Sequence, residues 1–294
     1  GIKAPETGRV LESYGQVEIL SMEGEILPFY KLKLPELTRQ EQTLLDAAKE
    51  KAVEEIKIDP DKILDPAERH STFMREVLKI LEREGKGIRL SPGRIRHLGE
   101  VAVQDMLGYG PLDPMIADDK LEDIMVTAVG KPVYVYHRKF GMCFSNVVFE
   151  SEDPIKYIID KMARVVGRRI DQQTPLLDAR LPDGSRVNAT IPPVSLGGPT
   201  ISIRKFRKDP LTIIDILNIG TTSTVVAAYF WLIVDGFGIK PANILFAGGT
   251  GCGKTTTLNA ATTFVPERER VISIEDTAEL QLPHKHWIRL ETRP

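Results

Sequence analysis

Cysteine is nearly missing: Cys143 and Cys252 are the only two thiols in 294 residues. Two cysteines so far apart form no disulfide framework, and a reducing, cytosolic setting is the expectation. Long hydrophobic runs are missing too. The most apolar stretch, Val225–Val234 (VVAAYFWLIV), stops at Asp235, roughly half the length a membrane-crossing helix needs. The opening GIKAPETGRV lacks the charged start and apolar core of a secretory signal. Neither charge sign dominates: 39 Lys+Arg against 41 Asp+Glu leave a formal charge of −2. That balance excludes a uniformly basic nucleic-acid binder and an acidic disordered tail, though not a local basic patch. No internal repeat or low-complexity tract is found. What is present is ordinary for a globular protein, 42% hydrophobic and 27% charged residues, in a length that suits about two domains with a sizeable core.

The first hundred residues read as a helical N-terminal region (1–100) with an extension in which VEILSMEGEILPFYKLKL has strand-like pieces. Thr38-Arg39-Gln40-Glu41 is a capping box, followed by Leu44, Leu45, Ala48, Ala52, Val53 and Ile56 at helical spacing. Asp65-Pro66-Ala67-Glu68 starts a second helix that ends before Gly85, and Ser91-Pro92 starts a third that ends near Gly108. From 101 to 205 the pattern is α+β. Glu122–Thr127, Pro132–His137, Met142–Phe149, Arg186–Ile191 and Thr200–Arg204 read as strands around one helix, capped at Asp153-Pro154 and running to about Val166. Lys205–Pro210 reads as a linker. In 206–294 two helical segments lead to a short apolar strand, Asn243–Ala247, then a Gly-rich turn, a helix and a strand at Val271–Ile274. That order is a βαβ unit and the start of an α/β sheet.

The Gly-rich turn is the strongest signal. Gly248-Gly249-Thr250-Gly251-Cys252-Gly253-Lys254-Thr255 fits G-x-x-x-x-G-K-[ST], with Thr256 following. Glycines let backbone N–H groups wrap a phosphate, and the helix behind them adds its N-terminal dipole. Lys254 reaches the β and γ phosphates, and Thr255 offers its hydroxyl to Mg²⁺. Such spacing arises by chance in roughly one chain in a hundred of this length, so the flanking strand and helix decide for the phosphate reading. ATP and Mg²⁺ are therefore the expected cofactors. Cys252 reads as a loop filler. After Val271–Ile274 comes an acidic cluster, Glu275-Asp276-Thr277-Ala278-Glu279, where a strand end can present carboxylates to water or hydrated metal; solvated acids at a helix start would look the same. His284 and His286 are poorly spaced for zinc, and Trp231 reads as core.

These residues are familiar together. AGGTGCGKTTTLNA, then ISIEDTAELQLPHKHWIRLETRP, resembles the secretion ATPase superfamily of type II and type IV secretion, type IV pili and the archaellum, and is most like its archaeal branch. GYGPLDPMIADDKLEDIMV (108–126), VYVYHR (133–138), RRIDQQTPLLDARLPDGSRVNATIPPVS (168–195) and TISIRKF (200–206) agree, in family order. The resemblance implies a PAS-like α+β domain and then a RecA-like P-loop ATPase domain, with nucleotide between them, in a hexameric ring. The ring would sit in the cytoplasm, peripheral to the inner face of the membrane, against a polytopic membrane protein and with no direct nucleic acid. It also implies that Glu275 and Glu279, with Asp276 between, belong to an acidic box that positions water and metal, and that Arg180, Arg186 and Arg204 reach the phosphates. Arg168, Arg169 and Arg207 are weaker candidates. The family's later Gly-Glu strand and His motif are not in this sequence, and about 85 residues follow the linker where a RecA-like core takes roughly 150–200. The expectation is thus an apparently truncated ATPase domain that binds nucleotide weakly and does not turn it over. Two other functions stay open. One is a DNA-translocating motor or small-molecule kinase, although GKGIRLSPGRIRHLG (85–99) reads better as a solvated helix face. The other is a docking adaptor switched by nucleotide.

Overall fold

The computed structural model describes residues 8–292, except 34–36, 59–62, 64, 89, 207–209, 250 and 277. It is a mixed α/β structure that divides between Lys205 and Phe206 into two units. Half of the expected linker, 207–209 with Arg207 among them, lies outside the described residues.

The first unit is built on a nine-stranded sheet. Its strands are β1 (Gly8–Tyr14), β2 (Val17–Met22), β3 (Phe29–Leu32), β4 (Leu121–Val126), β5 (Pro132–His137), β6 (Gly141–Val148), β7 (Leu176–Arg180), β8 (Arg186–Thr190) and β9 (Thr200–Arg204), in the order β1-β2-β3-β6-β5-β4-β9-β8-β7. Neighbours are antiparallel except β3 and β6, which run parallel. β6 alternates buried and half-buried positions, and β8 puts Val187 and Ala189 inside and Arg186 and Asn188 outside, the period of a sheet with one covered face. Ile155, Ile158, Ile159 and Met162 of helix α5 (Glu152–Val165) join Ile124, Val135, Val187, Ile201 and Ile203 in the core. Each fully buried side chain of this size contributes about 1.5–3 kcal/mol. Helix α5 takes Ser151 as its N-cap, two residues before the expected cap at Asp153.

The strand-like pieces near the N-terminus do not stay with the helices. β1–β3 extend the sheet, because Phe29 and Tyr30 pair with Phe144 and Ser145 of β6. The Asn146 side chain bonds both the N–H and the carbonyl of Leu32 at 2.8 and 2.9 Å, and the hydroxyls of Tyr14 and Tyr30 both donate to Asp118 Oδ2 at 2.9 Å. Three helices, α1 (Arg39–Glu55), α2 (Pro66–Glu84) and α3 (Pro92–Leu107), form a separate hydrophobic cluster around Leu45, Ala48, Val77, Leu81, Leu98 and Ala102. The capping box of Thr38 and Glu41 is formed as written in the sequence. Arg94, from the basic stretch, adds two bonds to Glu41 at 2.6 and 2.9 Å and holds its carboxyl down at about 2.

The turn GYGPLDP leads from α3 into the short helix α4 (Asp113–Ala117) and shows why its first glycine is there. Both carboxylate oxygens of Asp113 accept from the N–H of Tyr109, at 2.9 and 2.8 Å, and a Cβ on Gly108 would lie 2.0 Å from Asp113 Oδ2. Burial pushes the Asp113 carboxyl up to about 6 and the ammonium of Lys161, which donates to the Gly108 carbonyl, down to about 8. A carboxyl raised on folding contributes stability that is complete below pH 4 and lost as pH rises through 6. Asp113→Asn is therefore expected to flatten the fall in stability between pH 4 and 6 by at most about 1.4 kcal/mol per pH unit. Thermal melts across that range check this, and an unchanged slope in the variant would refute it.

The second unit contains α6 (Ile213–Asn218), α7 (Thr224–Asp235), α8 (Lys254–Thr262) and the parallel pair β10 (Val271–Glu275) and β11 (Trp287–Glu291). Ser223 caps α7, and Gly236, at φ 69°, ends it. Two expectations fail here. Asn243–Ala247 forms no strand: β10 and β11 pair only with each other among the described residues, and Leu245 is 90% exposed. An apolar run without a ladder partner is not a strand. Trp231 is not core; it is 59% exposed and stacks on Phe264 at 6.0 Å.

Candidate functional site

The glycine loop runs straight into α8. Gly251 (φ 75°) and Gly253 (φ 91°) take left-handed conformations that disfavour side chains, and Gly253 is the N-cap of the helix. At Gly248 a Cβ would lie 2.6 Å from Cys252 Sγ, so a side chain there would require the exposed thiol to move. Gly249 makes no such contact, and Thr250 lies outside the described residues. Lys254 Nζ donates to the carbonyls of Gly248 and Gly249 at 2.9 and 2.5 Å, which holds the ammonium against the loop. Cys252 is exposed, with its sulfur 3.9 Å from that ammonium.

Thr255, the first hydroxyl after the lysine, lines a cavity of about 400 Å³ with Leu258 and Thr262 of α8, β10, and Glu279 beyond it. Thr256 is half-buried and does not line it. Glu275, at the end of β10, is on the same cavity. Its Oε2 accepts from the N–H groups of Glu279 and Leu280 at 2.8 and 2.9 Å, while its Oε1 is buried with no hydrogen-bond partner among the described residues. Asp276 turns elsewhere, accepting from Thr292 Oγ1 at 3.2 Å, and does not line the cavity. A hydroxyl, an unpaired carboxylate oxygen and a second carboxylate are the hard oxygen donors that Mg²⁺ takes, beside phosphate and water, so these residues fit that ion. His284 has its ring nitrogens near Pro266 O (3.1 Å) and the N–H of His286 (3.3 Å).

Asn259 belongs to neither the G-x-x-x-x-G-K-[ST] motif nor the acidic cluster read from the sequence. It is buried, and its Oδ1 accepts from the N–H of Gln281 at 2.8 Å. The available signal was its place four residues after Thr255, on the same side of α8.

The expected arginines lie in the first unit and form a row. Register pairs Arg180 with Arg186 and Arg186 with Arg204, so the three stand side by side on one face of β7, β8 and β9. Like charges directly opposite destabilise a sheet, and acids offset them here. Asp178 takes Arg186 at 3.0 and 2.7 Å, which keeps the Asp178 carboxyl below the usual range. Arg204 lies 3.9 Å from Glu122, and Arg180 donates to the Gly184 carbonyl at 3.3 Å. Arg168 donates to the Asp178 carbonyl at 2.7 Å, and Arg169 pairs with Asp171 at 3.1 Å. Both partners of the Arg186–Asp178 pair are half exposed. Arg186→Ala is therefore expected to change stability by only about 0.2–1 kcal/mol in a denaturant melt, so a large loss of activity in that variant would report a functional role.

The family model for type II/IV secretion system proteins matches residues 105–294. An uncharacterized protein of Methanocaldococcus jannaschii is 52% identical over 186 residues, 63% of this chain and 26% of its own length. The conjugal transfer protein TrbB of Rhizobium radiobacter is 26% identical over 210 residues, 70% of this chain and 60% of its own. This chain thus spans about a quarter of the first relative and under two thirds of the second. Among solved structures, the VirB11 ATPase of the Brucella suis type IV secretion system, in complex with sulphate, is 24% identical and covers 65% of this chain and 62% of its own, at a TM-score of 0.36, a superposition too loose to transfer geometry. With the family model covering well over half of its residues, the chain belongs to the type II/IV secretion system protein family.

Proposed function

We propose that the protein is an ATP-binding and ATP-hydrolysing motor of a secretion, pilus or archaellum assembly system, acting as a hexameric ring at the cytoplasmic face of a membrane complex. The observation that carries this reading is the convergence of Thr255, Glu275 and Glu279 on one cavity at the foot of the glycine loop that Lys254 crosses. In this reading the second unit is the phosphate-binding part of a RecA-like domain, and the sheet of the first unit is PAS-like.

The chemistry follows from residue type. Backbone N–H groups of 248–253 and the start of α8 hold the phosphates, and Lys254 neutralises the β and γ oxygens. Thr255 and Glu275 would hold Mg²⁺, which when bound would supply further neutralisation of those oxygens. Glu275 and Glu279 orient the attacking water. Arg180, Arg186 and Arg204 offer always-charged guanidinium groups to the transferring phosphoryl, which ties turnover to movement of the first unit. The partner is a polytopic membrane protein, and direct nucleic-acid contact is not part of the reading. The test is Mg²⁺-dependent phosphate release by the full-length protein, with sedimentation in the presence of a non-hydrolysable ATP analogue. The expected result is turnover and ring assembly. A protein that stays monomeric at all concentrations and releases no phosphate would overturn it.

A further inference from the structure

We propose that Asn259 is a positioning residue: it ties the acidic segment 275–281 to the P-loop helix and thereby sets where the Glu275 carboxylate stands relative to Thr255. The proposal rests on the ATPase reading above.

Thr255 and Asn259 are one turn apart on α8, so they share a face of the helix. Thr255 lines the cavity, whereas Asn259 does not; it is buried at 6% exposure, and its Oδ1 accepts from the N–H of Gln281 at 2.8 Å. The amides just before Gln281 are held differently. Those of Glu279 and Leu280 donate to Glu275 Oε2, and that of Ala278 donates to Glu291 Oε1 at 3.3 Å. Four successive N–H groups, 278 to 281, therefore bond side-chain oxygens from three elements: β11, the end of β10, and α8.

Only the last of these bonds leads to the helix that carries the phosphate-binding loop. Through Glu275 and Glu291, with Arg289 donating to the Leu280 carbonyl at 3.1 Å, the segment would follow the strand pair β10 and β11. Through Asn259 it also follows α8, whose N-terminus takes the pull of the phosphates. The link matters because Glu275 has one oxygen committed to the amides of 279 and 280 and one, Oε1, left without a partner among the described residues. A shift of the segment moves the committed oxygen and swings the other. Asn259 touches none of the reacting groups; it acts through the peptide of Gln281 and then Glu275.

The test uses the full-length protein and Asn259→Ala, with Asn259→Asp as the conservative variant that keeps an acceptor oxygen at the same reach. Without nucleotide, the Gln281 amide should exchange with deuterium at least about tenfold faster in N259A and near the wild-type rate in N259D. With Mg²⁺ and ATP, kcat should fall about 10- to 100-fold in N259A and the half-saturating Mg²⁺ concentration should rise, as is typical when a group supporting a metal ligand is removed. Nucleotide affinity should stay within about threefold, and N259D should recover most of kcat. Should N259A fail to fold, Asn259→Ser replaces it with the same expectation, since its hydroxyl is too short to reach Gln281. Wild-type kcat and Mg²⁺ dependence in a folded variant whose Gln281 amide exchanges faster would overturn the proposal and leave Asn259 a packing residue. Absence of turnover in the wild-type protein would instead bring down the ATPase reading, and the proposal with it.

Discussion

Lys254→Ala is expected to lower ATP turnover by about 10²–10³-fold while leaving the fold intact. The magnitude is that of losing one preorganised charge or donor aimed at a developing negative charge. Among the described residues the Lys254 ammonium bonds carbonyls of its own loop, Gly248 and Gly249, with a long approach to Cys252, so its removal strips no distant element of a partner. Stability should change by less than about 1 kcal/mol, because those bonds are exposed to solvent. Lys254→Arg should not restore the rate. A guanidinium is a wide planar fork, and the ammonium it replaces is a compact donor already 2.5 Å from Gly249 O. Phosphate release and a thermal melt on the same preparations check both halves. Turnover equal to wild type would end the motor reading.

The second large effect is expected at Glu275. Glu275→Gln keeps an amide oxygen for the N–H groups of Glu279 and Leu280, so the segment stays folded, but it removes the charge from the oxygen that has no partner among the described residues. Hydrolysis should fall about 10²–10⁴-fold, the range for loss of a positioned acid–base group, while Mg²⁺-free nucleotide binding should persist. The structure also ranks the neighbours. Glu279→Gln should cost less, because Glu279 lines the cavity but is exposed; Asp276→Asn should cost least, because Asp276 bonds Thr292 away from the cavity. Steady-state kinetics on the three variants decide the order, and a more severe loss in Asp276→Asn than in Glu275→Gln would contradict the placement of the acids described above.

Residue patterns and tertiary contacts contributed differently to this protein. The capping box at Thr38, the stop at Gly236, the left-handed glycines of the loop and the helix behind it were all legible from residue order, because each depends on bonds within a few residues of itself. The separation of the acidic box from the loop was legible in the same way, as motif followed by motif. What residue order left undecided is everything that needs a partner far along the chain. Asn243–Ala247 has the apolar pattern of a strand and is none, since no strand pairs with it among the described residues, while the equally short and more charged Leu176–Arg180 is one, since β8 pairs with it. The strand pieces before residue 33 join a sheet more than a hundred residues away through two residue pairs with β6. Arg180, Arg186 and Arg204 are three scattered arginines in the sequence and one row in the sheet, because register alone makes them neighbours. Glu275 and Asp276 are adjacent acids that sequence treats alike; folding sends the first to the Thr255 cavity and the second to Thr292. The sequence by itself therefore determined the loop, the caps and the chemistry on offer. The tertiary structure decided which carboxylate meets the hydroxyl, because hydrogen-bond partners and strand register, not proximity along the chain, fix where a side chain points.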